Sequence, residues 1–86
     1  MSAVASVKFR FDGSEKEFRR LYEAIAPIDV DIGAYGEGTT GVIEFMISDF
    51  GVFKHKVASK SAELGLELVA LDYLASEHDV ENHYEA

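Results

Sequence analysis

The sequence predicts an α+β domain with the ferredoxin-like order βαββαβ, in which a four-stranded antiparallel sheet carries two helices on one face. Two patterns support this fold class. Apolar and polar residues alternate in the segments assigned to strands, and apolar residues recur every three to four positions in two segments between them. The 86 residues suffice for one such core. We therefore expect a single domain over residues 1–76 and an acidic tail over residues 77–86.

The first strand and the first helix have clear signals. Residues 4–11 alternate between apolar and polar side chains, which predicts a half-buried strand. Ser14 followed by Glu17 is the capping-box pattern and predicts the start of a helix, and Pro27 predicts its end. The apolar face of this helix comprises Phe18, Leu21, Tyr22 and Ile25.

The second half of the chain repeats the order of elements without repeating the sequence. Residues 30–35, 42–48 and 66–74 read as strands. Asp49 is a good N-cap for a second helix, and Gly65 is a typical C-terminal residue for it. The apolar face of this second helix comprises Phe50, Phe53, Val57 and Leu64.

Residues 36–41 spell G-x-G-x-x-G, which is the dinucleotide-binding pattern when it follows a strand and opens a helix. Here Gly41 leads into a strand, and Glu37 would place a negative charge beside a phosphate. The glycines therefore predict a β-hairpin with positive φ angles, whose acidic tip is a candidate contact loop.

The charge distribution restricts the class of partner. Sixteen acidic residues against eight lysines and arginines give a net charge of −8, with no base between Arg20 and Lys54 or after Lys60. Such a chain repels nucleic acid and favours a basic protein surface. The RNA-recognition motif shares the βαββαβ order, but its stacking positions would fall on Thr40 and Val42, which cannot stack a base. Solubility alone, or adaptation to a salty cytoplasm, would account for the acidity equally well.

We expect a cytoplasmic protein, because no apolar run approaches the ~20 residues of a membrane span and the N-terminus lacks a signal-peptide pattern. We expect no cofactor, no resident metal and no enzyme activity. The candidates for a small enzyme are Asp12, His78 and His83, but no nucleophile–base pair accompanies them. Asp12 fits turn and cap chemistry better.

The uncovered face of the predicted sheet is the candidate interface. Strand alternation places Asp31, Tyr35, Glu44 and Tyr73 there, together with an apolar patch that could form a homodimer. The patch comprises Val42, Met46, Val69 and Leu71. The predicted contacts with a partner are Tyr35, Glu37, Glu44, Asp72, Tyr73, Glu77, Asp79, Glu81 and Glu85.

These observations favour a small acidic interaction protein, such as an inhibitor or immunity-type protein of a phage or mobile element. Its partner would be a basic, nucleic-acid-binding protein, and its carboxylates would mimic phosphates. A dimeric small-ligand or regulatory domain is the first alternative, and a small enzyme is the second. The sequence does not decide between them, and it leaves open which face each residue of the last strand occupies.

Overall fold

The computed structural model describes residues 3–76, with side chains up to residue 73. The elements follow the predicted order βαββαβ. They are β1 (Ala3–Arg10), α1 (Glu15–Ile25), β2 (Val30–Glu37), β3 (Thr40–Ile47), α2 (Phe50–Leu64) and β4 (Leu68–Ser76), with a 3₁₀ turn at Ala26–Ile28 between α1 and β2. Residues 77–86, the predicted acidic tail, lie outside the described part.

The four strands form one open antiparallel sheet in the order β2-β3-β1-β4. β1 lies in the interior of the sheet and pairs with both β3 and β4. β3 separates β1 from β2, and β1 separates β3 from β4. Each helix therefore connects two strands that run parallel with one strand between them. The α+β class and the four-stranded antiparallel sheet are confirmed.

Both helices cover the same face of the sheet. Ala5, Val7 and Phe9 of β1 point towards them and are fully buried. The core also contains Ile43, Phe45 and Ile47 of β3, Leu21 and Ile25 of α1, and Phe53 and Val57 of α2. These residues belong to the predicted strand and helix faces. Burying apolar side chains of this size is the main driving force for such a fold.

The start of α1 differs from the predicted capping box. The Ser14 hydroxyl accepts a hydrogen bond from the backbone N–H of Glu17 at 3.2 Å, as expected for an N-cap. The Glu17 carboxylate does not reach back to Ser14, because it pairs with Arg20 at a distance of 3.0 Å. Asp12 takes its place and accepts the Ser14 backbone N–H at 2.8 Å. Asp12 therefore has the turn and cap role that the sequence favoured.

The predicted hairpin at residues 36–41 is confirmed, but only one of its glycines needs a positive φ. Gly38 has a φ of 62° at the first central position of a two-residue turn, as in a type II′ hairpin. Gly41 is required for space, because a Cβ there would lie 2.5 Å from Cζ of Phe9. Gly36 similarly faces the rings of Phe11 and Phe18, each 3.3 Å from the position of an added Cβ. The G-x-G-x-x-G pattern thus packs the hairpin onto phenylalanine side chains.

The β-bulges at Val69 and Ile32 change which residues face the helices. Val69 is an extra residue in β4, since Lys8 pairs with Ala70 and Phe9 with Leu68. The predicted open-face positions of Leu71 and Tyr73 are therefore wrong, because a one-residue insertion reverses the alternation of a strand. Leu71 packs against the core.

The second bulge, at Ile32 in β2, corrects the predicted position of Asp31. Asp31 pairs with Phe45 and so lies on the helix side, whereas Gly33 pairs with Glu44 on the open face. The hydroxyl of Tyr22 on α1 donates a hydrogen bond to the Asp31 carboxylate at 3.0 Å. This bond raises the pKa of Tyr22 and connects α1 to β2.

Neither helix in the described part of the chain is long and apolar enough to cross a membrane.

We expect Gly41→Ala to destabilise the protein by about 1–3 kcal/mol, because the added methyl group overlaps the buried Phe9 ring. Gly51→Ala is the matched control. Gly51 lies in the exposed first turn of α2, where alanine is the better helix former, so this variant should be at least as stable as the parent. Urea denaturation of both variants tests the close packing, and equal effects at the two positions would contradict it.

A second prediction concerns the Asp12 turn. The hydrogen bonds from Ser14 lower the pKa of Asp12 below its ordinary value of 3.8. The charged form therefore stabilises the folded state above that value, and the contribution is lost as the pH falls through the lower folded pKa. Asp12→Asn keeps a hydrogen-bond acceptor and removes the charge. The variant should therefore have a lower free energy of unfolding than the parent at neutral pH, and the difference should shrink as the pH falls. A constant difference across urea titrations at several pH values would argue against this role.

Candidate functional site

The open face of the sheet is the face that neither helix covers. Residues paired across β2, β3, β1 and β4 form transverse rows on it. One row contains Tyr35, Val42, Lys8 and Ala70, and the next contains Gly33, Glu44, Ser6 and Asp72. Because paired residues in antiparallel strands share a face, these side chains are close neighbours.

A shallow groove of about 380 Å³ lies over the first of these rows. Lys8 is half-buried within it and, among the described residues, forms no salt bridge. Arg10, the other base of this face, lies 3.9 Å from the carboxylate of Glu67. The lining residues are Lys8, Tyr35, Glu37, Thr40, Val42 and Val69.

Charge is unequally divided between the two layers of the molecule. The two helices contain six of the eight lysines and arginines and only four acids. The remaining described residues contain two bases and eight acids: Asp12, Asp29, Asp31, Glu37, Glu44, Asp49, Glu67 and Asp72. Four of these acids, Glu37, Glu44, Glu67 and Asp72, lie on or beside the open face. The excess of negative charge in the described part therefore belongs to the sheet and its loops.

The predicted partner contacts separate into three groups. Tyr35, Glu37, Glu44 and Asp72 lie on the open face. Tyr73 lies on the other side, where its ring contacts Phe50 of α2 at a centroid distance of 4.8 Å. The acidic tail contacts, Glu77, Asp79, Glu81 and Glu85, and the histidines His78 and His83 fall outside the described residues.

The predicted apolar patch is smaller than expected. Val42 is on the open face but only 4% exposed, because the longer Lys8 and Tyr35 side chains lie on either side of it. Met46 is half-buried on this face, and Val69 is 43% exposed at the bulge. With Leu71 turned to the core, Val69 is the one well-exposed member of the predicted patch. The homodimer through this face remains a prediction.

Sequence reasoning missed a second exposed feature, the edge strand β2. Val30, Ile32 and Tyr35 are 61%, 49% and 54% exposed, and all three belong to this strand. They are half of the six large apolar or aromatic side chains that the described residues expose. The sequence signal for β2 is weak because two glycines and a bulge interrupt its alternation. The available signal was the absence of a regular apolar alternation in VDIGAYGE, because an interior strand of this sheet would need an apolar residue at every second position.

The described residues contain no group of three histidine, aspartate or glutamate side chains arranged to bind a metal ion. No family model matches the chain, and neither a curated protein nor a solved structure is significantly similar to it. The candidate site is therefore described from the structure alone. It is the open face of the sheet, which carries both acidic and apolar side chains, together with the exposed edge strand β2.

The groove generates a prediction about Val42. Val42→Ala should destabilise the fold by less than the same methyl deletions in the helix-facing core, because the open face can relax around the cavity. We expect about 1 kcal/mol, against about 1–2 kcal/mol or more for Val7→Ala beneath the helices. Thermal denaturation of the two variants is the measurement. A larger loss at Val42 would indicate that the open face is itself a packed interior.

Proposed function

We propose that this chain is a ferredoxin-like interaction module that binds a basic surface of another protein through the open face of its sheet. The ferredoxin-like label is supported by two split βαβ units, β1-α1-β2 and β3-α2-β4, each with one strand inserted between its parallel pair. Both helices pack on one face, which leaves the other available to a partner.

The observation that carries the proposal is the division of charge. A surface with an excess of acids attracts a positively charged partner, raises the association rate and rejects other acidic surfaces. Glu37, which lines the groove, and Glu44, in the next row of the open face, flank Tyr35, which is a residue type enriched at binding hot spots. An aromatic anchor surrounded by carboxylates suits a partner that presents lysine or arginine around an apolar contact.

The partner class that we propose is a basic nucleic-acid-binding protein, which this chain would inhibit in the manner of an immunity-type protein. Carboxylates spaced along a sheet face can occupy positions that phosphates would otherwise take. Exposed opposite charges attract each other more weakly as salt screens them. Binding should therefore weaken with salt, and duplex DNA should compete for the same partner.

Affinity capture from the host lysate at low and high salt tests the proposal. Glu37→Lys combined with Asp72→Lys should weaken capture of a basic partner about tenfold or more. Glu15→Lys combined with Glu23→Lys changes the net charge equally on the helix side and should leave capture nearly unchanged. Equal losses in both double variants would mean that net charge alone is responsible, and capture that is insensitive to salt would exclude the electrostatic interaction.

A second candidate function, a small-ligand or regulatory domain, is favoured by the groove around Lys8. A lysine without an ion pair among the described residues, in a groove that Tyr35 also lines, suits a small carboxylate- or phosphate-bearing molecule. This function predicts a thermal shift with such a ligand that Lys8→Met removes. The same substitution should preserve or strengthen binding of a basic protein, so the two functions have opposite outcomes.

A further inference from the structure

We propose that β2 is a strand-addition site, at which an extended segment of the basic partner pairs with the free edge of the sheet. This inference rests on the proposed function in one respect, namely the positive charge of the partner. It adds the mode of recognition, which is main-chain hydrogen bonding to an edge strand.

No strand within residues 3–76 pairs with the outer edge of β2. β2 is one of the two edge strands of the sheet, with β4 at the opposite edge. It is eight residues long, and seven of these residues are exposed. Residues 33–37 pair with β3 in regular register beyond the bulge at Ile32. An edge strand presents a row of backbone N–H and C=O groups to solvent, and proteins usually protect such edges with lysine or proline. β2 contains neither of these residues, and its β-bulge, which is another protective device, lies at Ile32, outside residues 33–37.

The side chains of the edge favour close approach of a second backbone. Gly33, Ala34 and Gly36 are small, and glycine within a strand often marks a place where another backbone comes near. The side chains of Ile32 and Tyr35, which are next to these small residues in the strand, are exposed and largely apolar. A partner strand would therefore gain hydrogen bonds from the main chain and apolar contact from these two side chains.

The charges decide which occupant fits. Glu37 of β2 lies on the open face. Glu44 of β3 extends over Gly33, because its Oε1 atom lies 3.7 Å from where a Cβ atom at Gly33 would be. A partner strand would thus meet a carboxylate, then Tyr35, then a second carboxylate at successive open-face positions. The complementary order is a basic residue, an apolar residue and a basic residue at alternate positions. A second copy of β2 has acids and no base, so its charges would repel this edge.

The test uses a short synthetic peptide that repeats lysine, threonine, valine, threonine and lysine. We expect it to bind and to protect β2 amides from hydrogen exchange, as measured by NMR. N-methylation of its threonines removes main-chain donors, and the loss of about two hydrogen bonds should weaken binding about tenfold. Glu44→Gln should also weaken binding, whereas the matched variant Glu23→Gln on α1 should not.

Each other outcome identifies the part that fails. Equal binding of the N-methylated peptide would overturn strand addition and leave the electrostatic proposal intact. A peptide with glutamate in place of lysine that binds as tightly as the lysine peptide would reject the requirement for a basic partner, while supporting strand pairing at the edge. A second copy would occupy the edge if β2 amides were protected without peptide and the protein had the mass of a dimer. In that case Ile32→Lys should reduce the mass to that of a monomer, and Val52→Lys on α2 should not. Absence of peptide binding would reject the strand-addition site, and lysate capture would still test the basic partner separately.

Discussion

The packing of the Phe9 ring against Gly41 is the contact on which the arrangement of the sheet depends. It joins β1 to β3, the two interior strands, on the face that the helices cover. Phe11 and Phe18 continue the same cluster towards Gly36, with centroid distances of 5.5–6.2 Å between the three rings. Because these aromatic side chains fill the helix side at this end of the sheet, the alternate residues of β1 and β3 must face the other way. The open face and its groove follow from that packing.

The same one-sided burial determines where charge can lie. Apolar alternation commits one face of each interior strand to the core, so Lys8, Arg10 and Glu44 are confined to the other. The six remaining bases all lie on α1 and α2, where nearby acids pair with three of them. Exposed pairs of this kind contribute little to stability. The helices hold six bases against four acids, so the whole excess of acids in the described part lies in the sheet and its loops.

Much of this fold could be predicted from the sequence because its signals are local. Caps at Ser14 and Asp49, the alternation of β1 and the periodic helix faces each depend on a few neighbouring residues. The bulge at Val69 could not be predicted, since Leu68, Val69, Ala70 and Leu71 are all apolar and accept either phase. The space requirement at Gly41 depends on the β1–β3 register. The edge character of β2 depends on strand order, which is a property of the whole sheet. Glu37, Glu44 and Asp72 lie on the open face, but their binding role stays a prediction, because it depends on a partner that the sequence does not name.

The most direct measurement is amide hydrogen exchange across the whole chain, with and without a basic protein recovered in the proposed affinity capture. We expect binding to slow exchange in β2 and at the open-face end of the hairpin, around Tyr35 and Glu37, while α1 and α2 are unchanged. Slower exchange confined to the two helices, with β2 as exposed as in the free protein, would contradict the assignment of the sheet side as the binding surface.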